Sequence, residues 1–143
     1  MPTDVELEFR DINRVSITAC GTSFYAGLVA RYWFERYARL PVVIDIASEF
    51  RYRNVRFDPG NLAILVSQSG ETADTLASLE FAKAHGQRVL SDVNVPSSTM
   101  ARASQIVLPT LAGPEVGVAS TKAFTCQLVT LACLAVAAGR ALG

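Results

Sequence analysis

An α/β domain, with a five-stranded parallel sheet between two helical layers in a three-layer αβα sandwich, is the fold class this sequence predicts. Three observations predict it. Short aliphatic and β-branched runs alternate with longer segments of helical periodicity. The runs are continuously apolar rather than alternating, as strands covered on both faces are, and residues 62–66 (Leu-Ala-Ile-Leu-Val) are the clearest case. Two turns rich in hydroxyls and glycine, 20–23 and 67–72, fall where such a run gives way to a helix.

The elements follow in order. Residues 1–13 are polar and weakly patterned and read as an N-terminal arm or linker, leaving 14–143 as a single domain. Residues 15–19 form the first strand and Cys20-Gly21-Thr22-Ser23 the turn after it. Residues 24–40 read as a helix ended by Pro41, with Tyr25, Val29, Trp33 and Tyr37 in one i, i+4 row, assigned to the core, and Phe24, Leu28 and Tyr32 in another, together a wide apolar face. Residues 42–46 are a second strand, 47–53 a short helix or turn, and 57–60 (Phe-Asp-Pro-Gly) a loop. The third strand, 62–66, leads into a helix over 71–85 that Gly86 terminates. A fourth extended segment, 88–95, is interrupted by Ser91, Asp92 and Asn94. A short helix over 99–103, a strand over 106–108, a loop over 112–117 and a long helix over 120–141 complete the chain. That last helix is apolar on nearly all sides from Leu128 on, so it is expected to be buried or to meet another subunit or domain. Five strands suggest the flavodoxin-like order 2-1-3-4-5, which puts the first and third side by side and a binding crevice at their C-terminal ends.

Composition narrows the function. The chain has 143 residues, enough for one domain, and half are hydrophobic. Thirteen basic residues balance thirteen acidic ones with no basic block, which gives no electrostatic support for a nucleic-acid or anionic-membrane partner. Cys20, Cys126 and Cys133 form no metal-like cluster with the lone His85, so no metal or cofactor is expected; their apolar settings suggest buried thiols in a reducing cytoplasm. The N-terminus is acidic and polar, unlike a signal peptide, and the apolar run 128–138 is short for a membrane span.

The stretch Val66-Ser67-Gln68-Ser69-Gly70-Glu71-Thr72 carries the chemistry. A helix start concentrates free amides and the positive end of the dipole, which favours an anion. Ser67, Ser69 and Thr72 add neutral donors, and Gly70 lets the backbone approach a ligand, so the stretch reads as a phosphate cradle. No Lys follows the glycine, so it is not a Walker loop. The plainer reading is that Ser69 caps the helix.

Four segments together, Ala19-Cys20-Gly21-Thr22-Ser23, Ala47-Ser48-Glu49-Phe50-Arg51-Tyr52-Arg53, residues 67–75 (SQSGETADT) and residues 117–124 (GVASTKAF), resemble the sugar isomerase (SIS) domain family, and within it the first SIS subdomain of the glucosamine-6-phosphate synthases. The resemblance covers residues from about 14 to 140. It implies a flavodoxin-like SIS fold and a sugar phosphate, fructose 6-phosphate or glucosamine 6-phosphate, as ligand. Ser23, Ser67, Gln68, Ser69 and Thr72 would hold the phosphate, and Thr22, Val118 and Ser120 would line the sugar. That family's glutaminase nucleophile is an N-terminal Cys, whereas this chain starts Met1-Pro2, and its isomerase acids, bases and Schiff-base Lys lie on a second SIS subdomain and tail with no counterpart here. The expectation is a binding subdomain of a glutamine-dependent aminotransferase, catalytically incomplete alone, in a cytoplasmic homodimer or larger homo-oligomer. A stand-alone regulatory SIS protein and a small oligomeric phosphosugar isomerase are the alternatives.

The other singled-out residues have ordinary roles available. His85 reads as a dipole partner at a helix end, Cys20 as a small buried residue and Trp33 with its row as core. Glu71, in the first turn of a helix, would stabilise the dipole or cap it. Lys122, at the start of the last helix, suggests a nearby anion or a solvated side chain, and Glu49, Arg51 and Arg53 suggest a subunit contact or surface ion pairs.

Overall fold

Five runs of aliphatic and β-branched residues form the strands of one parallel sheet: β1 (Arg14–Ala19), β2 (Val42–Ile46), β3 (Asn61–Ser67), β4 (Arg88–Val93) and β5 (Ile106–Pro109). The computed structural model describes residues 9–53, 57–110 and 121–143. The sheet order is β2-β1-β3-β4-β5, as the sequence predicts, so β1 and β3 are neighbours, with Val15 beside Leu62 and Ile17 beside Ile64. All seven residues of β3 are buried, the property of a central strand covered on both faces.

One face carries α1 (Thr22–Trp33) and α5 (Thr121–Leu142), which bury Ile17, Leu62, Ile64, Val66, Leu90 and Leu108 beneath Ala26, Ala30, Leu131, Leu134 and Ala138. The other carries α3 (Ala73–Ala84) and α4 (Thr99–Ala103), with Leu65, Val89 and Val93 against Leu79, Ala82 and Met100. A single turn, α2 (Ala47–Phe50), follows β2. Before β1, a turn of 3-10 helix (Phe9–Asp11) and Ile12 bring Phe9 and Ile12 into the core.

The periodicity of α1 is right but its buried stripe is not the aromatic one. Ser23, Ala26, Gly27 and Ala30 face the sheet, and Gly27 sits so close that a Cβ would stand 2.9 Å from Ile17 Cγ2. Tyr25, Val29, Tyr32 and Tyr37 are exposed, and Trp33 only packs against the core's edge. Small residues win the inner face because they let the helix axis approach the sheet, which leaves the large rings outside. The helix widens into a π turn (Phe34–Ala38) closed by Arg39 in the left-handed conformation, φ 55°.

The α3 helix ends as its Gly86 suggests. Gly86 has φ 73°, its amide donates to Lys83 O at 3.0 Å and that of Gln87 to Ala82 O at 3.1 Å, the Schellman pattern. His85 Nδ1 lies 2.8 Å from Phe81 O and its ring stacks on Phe57 at 4.6 Å, which bears out its placement at the carbonyl end of the helix. α5 is long and apolar enough to cross a membrane by length and composition alone; here Leu131, Leu134, Ala135 and Ala138 are buried against the sheet, while Val129 and Val136 are exposed. The cysteines are free thiols, and against the expectation of burial Cys133 is exposed and Cys20 and Cys126 half-buried.

Candidate functional site

The strand-to-helix turns after β1 and β3 meet at the C-terminal edge of the sheet, because their strands are hydrogen-bonded neighbours. Cys20 Sγ of the first turn lies 3.8 Å from Thr75 Oγ1 in the first turn of α3, which ties the two turns together. Thr22 is exposed at the start of α1, and Ser23 beside it is buried. Ser23 Oγ accepts a hydrogen bond at 3.0 Å from Gln127 Nε2 of α5, so this hydroxyl also fastens α1 to α5.

After β3 the chain folds back on itself. Ser67 Oγ accepts from the Gly70 amide at 3.0 Å and lies 3.4 Å from Thr72 Oγ1. Ser69 Oγ accepts from the Glu71 amide at 3.1 Å. Gly70 has φ 71°, and a Cβ there would overlap the side chain of Ser98, so only glycine fits this bend. Ser67, Gln68, Ser69 and Thr72 thus gather in one short loop, with Ser67 buried and the other three half-buried.

Two local expectations change. The helix begins at Ala73, not at residue 71: Thr72 occupies the N-cap position with extended backbone, and no side chain caps α3. Ser69 is therefore not the cap. Glu71 precedes α3 and serves another helix, its two carboxylate oxygens accepting from the Thr99 amide at 2.8 Å and from Thr99 Oγ1 at 2.7 Å at the start of α4. Those bonds, first the one from the Thr99 backbone, hold the Glu71 carboxyl below its ordinary pKa.

Val118 and Ser120 lie outside the described residues. Lys122 is exposed in the first turn of α5. Of the charged group after β2, Arg53 pairs with Asp45, a buried residue of β2, while Arg51 donates to Tyr52 Oη at 2.8 Å. The Arg53 partner lies on the preceding strand, so the pair belongs to this domain's own packing. Among the described residues no group of three or more His, Cys, Asp or Glu side chains is placed to hold a metal ion.

Two features were not expected from the sequence. Gln127 pairs with a residue 104 positions earlier, a contact that no local pattern marks. Asp92 is completely buried in β4, in register with Val66 and Leu108, and neither carboxylate oxygen has a partner among the described residues. Ser98, in contrast, stood in plain view ahead of a short helix, and it caps α4 by accepting from the Ala101 amide at 3.2 Å.

The SIS domain model matches residues 8–137. The chain is 64% identical over its 143 residues to a glutamine–fructose-6-phosphate aminotransferase (isomerizing) of Bradyrhizobium diazoefficiens, and 62% identical over 139 residues to that of Brucella abortus. It spans about a quarter of those relatives' length, 24% and 23%. Among solved structures it resembles the C-terminal domain of glucosamine-fructose-6-phosphate aminotransferase from Francisella tularensis, with TM-score 0.87 and 46% identity over 94% of this chain and 39% of that one. Glucosamine-6-phosphate deaminase from Thermotoga maritima shares the fold, with TM-score 0.82 at 24% identity over 93% of this chain and 42% of that one. With the match to the model spanning the whole parallel sheet and both of its hydroxyl-rich turns, this chain belongs to the SIS domain family.

Proposed function

We propose that this chain is the sugar-phosphate-binding SIS subdomain of a glutamine–fructose-6-phosphate aminotransferase, with fructose 6-phosphate or glucosamine 6-phosphate as its ligand. The observation that carries the reading is the loop 67–72, with three hydroxyls and an amide around a left-handed glycine beside the uncapped start of α3. Ser67 and Ser69 spend acceptor capacity on loop amides, which leaves their protons available to a phosphate oxygen. Ser67, Gln68, Ser69 and Thr72 take the phosphate together with Ser23, while Thr22, Val118 and Ser120 line the sugar. The aminotransferase relatives over the full chain support this ligand class.

The chemistry of moving a proton between sugar carbons needs positioned acids and bases. Glu71 is the only carboxylate in the two turns, and Thr99 occupies both its oxygens. This domain therefore binds and orients, and the rest of a longer enzyme supplies the reacting groups. A homodimer or larger homo-oligomer in the cytoplasm completes the proposal. The exposed Tyr25, Tyr32, Val129 and Val136 on the α1–α5 layer support self-association, as does a groove of about 700 Å³ lined by Ala132, Cys133, Val136, Ala137, Arg140 and Ala141.

Calorimetric titration with fructose 6-phosphate, against inorganic phosphate and unphosphorylated fructose, tests the ligand. Tighter binding of the sugar phosphate than of either control is expected, and equal binding of fructose 6-phosphate and phosphate would rule the reading out. Sedimentation equilibrium tests the assembly, for which a monomeric mass is the adverse result.

A further inference from the structure

A carboxylate in a phosphate loop is at first sight misplaced, because its charge repels the ligand. The structure gives Glu71 a different task. Its side chain leaves the loop and takes both donors of Thr99, the amide at 2.8 Å and the hydroxyl at 2.7 Å. Two backbone bonds run beside it between the same segments: the Met100 amide donates to Gly70 O at 3.1 Å and the Asn94 amide to Gln68 O at 3.2 Å. Ser98 fills the space that a side chain at Gly70 would need. Residues 68, 70 and 71 are thereby fastened to 94–100, and the Glu71 amide in turn fixes Ser69 Oγ at 3.1 Å.

We propose that Glu71 is a positioning residue of the phosphate loop, clamping it to the start of α4 through Thr99 so that Ser69 presents its hydroxyl to the ligand. The proposal rests on the reading of residues 67–72 as phosphate-binding. Arg102 of α4, which donates to Thr99 Oγ1 at 3.4 Å, adds positive charge to the clamp and offsets the Glu71 charge that the phosphate would feel. The depressed pKa of Glu71 agrees with a carboxylate held ionised by the Thr99 bonds.

Clamp and bare charge predict opposite signs. If Glu71 acted only by repelling phosphate, removing its charge would tighten binding. A clamp predicts that Glu71→Ala weakens fructose 6-phosphate binding roughly tenfold, the scale of one lost hydrogen-bonded contact. Glu71→Gln keeps an oxygen for the Thr99 amide and retains most of the affinity. Thr99→Val removes the other half, and the Glu71→Ala, Thr99→Val double variant binds no worse than the poorer single variant. Calorimetry reads the affinities, and thermal melting confirms that each variant is folded; should Glu71→Ala not fold, Thr99→Val carries the same test. Unchanged or tighter binding in the folded alanine variant, beside a wild-type chain that binds, overturns the clamp alone. A wild-type chain that binds fructose 6-phosphate no better than phosphate overturns the loop reading, and the clamp with it.

Discussion

Gln127 Nε2 donates to Ser23 Oγ at 3.0 Å, joining the last helix to the first turn of α1 inside the core. Both residues are buried, and Gln127 Oε1 has no partner among the described residues. Removing the hydroxyl leaves the whole Gln127 amide unsatisfied. Ser23→Ala is expected to lower unfolding stability by about 1–3 kcal/mol. Urea denaturation reads this directly, and a variant as stable as the parent would show that the bond contributes nothing net.

Asp92 makes stability depend on pH. Burial without a partner among the described residues raises its carboxyl well above the ordinary aspartate range, so the folded chain holds that proton to a higher pH than the unfolded chain does. The unfolded chain releases that proton near its ordinary value of about 3.9. As pH rises between those two points the folded state holds the proton that the unfolded state has lost, and stability falls; below the window Asp92 adds no pH dependence. Asp92→Val, matching the apolar neighbours Val66 and Leu108 on either side, should remove this slope and raise stability at neutral pH by about 1–3 kcal/mol. Unfolding free energies of the two chains across a pH series make the comparison, and parallel curves would count against it.

Gly70→Ala meets two obstacles at once, a left-handed backbone at φ 71° and the Ser98 side chain that caps α4. The left-handed conformation alone costs about 1–2 kcal/mol for a residue with a Cβ. A loss of at least that size is expected, with sugar-phosphate binding weakened in the same variant. A melting temperature equal to the parent's would mean that the bend relaxes freely.

Ser69→Ala with Thr72→Ala removes two hydroxyls from the proposed cradle. Fructose 6-phosphate affinity should fall by about 1.5–3 kcal/mol for each charge-assisted bond lost. Thr72 Oγ1 also lies 3.4 Å from Ser67 Oγ, so its removal reaches the Ser67 hydroxyl as well. Affinity equal to the parent's would place the phosphate elsewhere.

What the sequence made legible follows from which forces are local. The strands were readable because a strand covered on both faces is apolar at every residue, as β3 is. The sheet order was expected from the flavodoxin-like arrangement of five parallel strands, and the two hydroxyl-rich turns after β1 and β3 fall at the crevice that this order creates. The inner face of α1 was misread, since hydrophobicity favours tyrosine while close packing on Ile17 favours Gly27 and its small neighbours. The start of α3 moved from residue 71 to Ala73 because the loop's own amides are taken by Ser67 and Ser69 before the helix can begin. The Glu71–Thr99 pair spans 28 residues, and a dipole argument confined to one helix could not reach it. Interruptions at Ser91 and Asp92 suggested a weaker strand, yet both residues are fully buried in β4.

The placement of α5 governs the order in which the molecule can assemble. Leu131, Leu134, Ala135 and Ala138 cover strand residues from as early as Ile17, and Gly139 lies where a side chain would overlap the Tyr37 carbonyl. During synthesis every strand leaves the ribosome before α5, which shares the cover of one side of the sheet with α1. The nascent chain must carry the part of that side not covered by α1 bare, at translation rates of about 5–20 residues per second, until α5 arrives. A chaperone that recognises exposed aliphatic strands would find its natural client in this interval, and release would coincide with the docking of one helix.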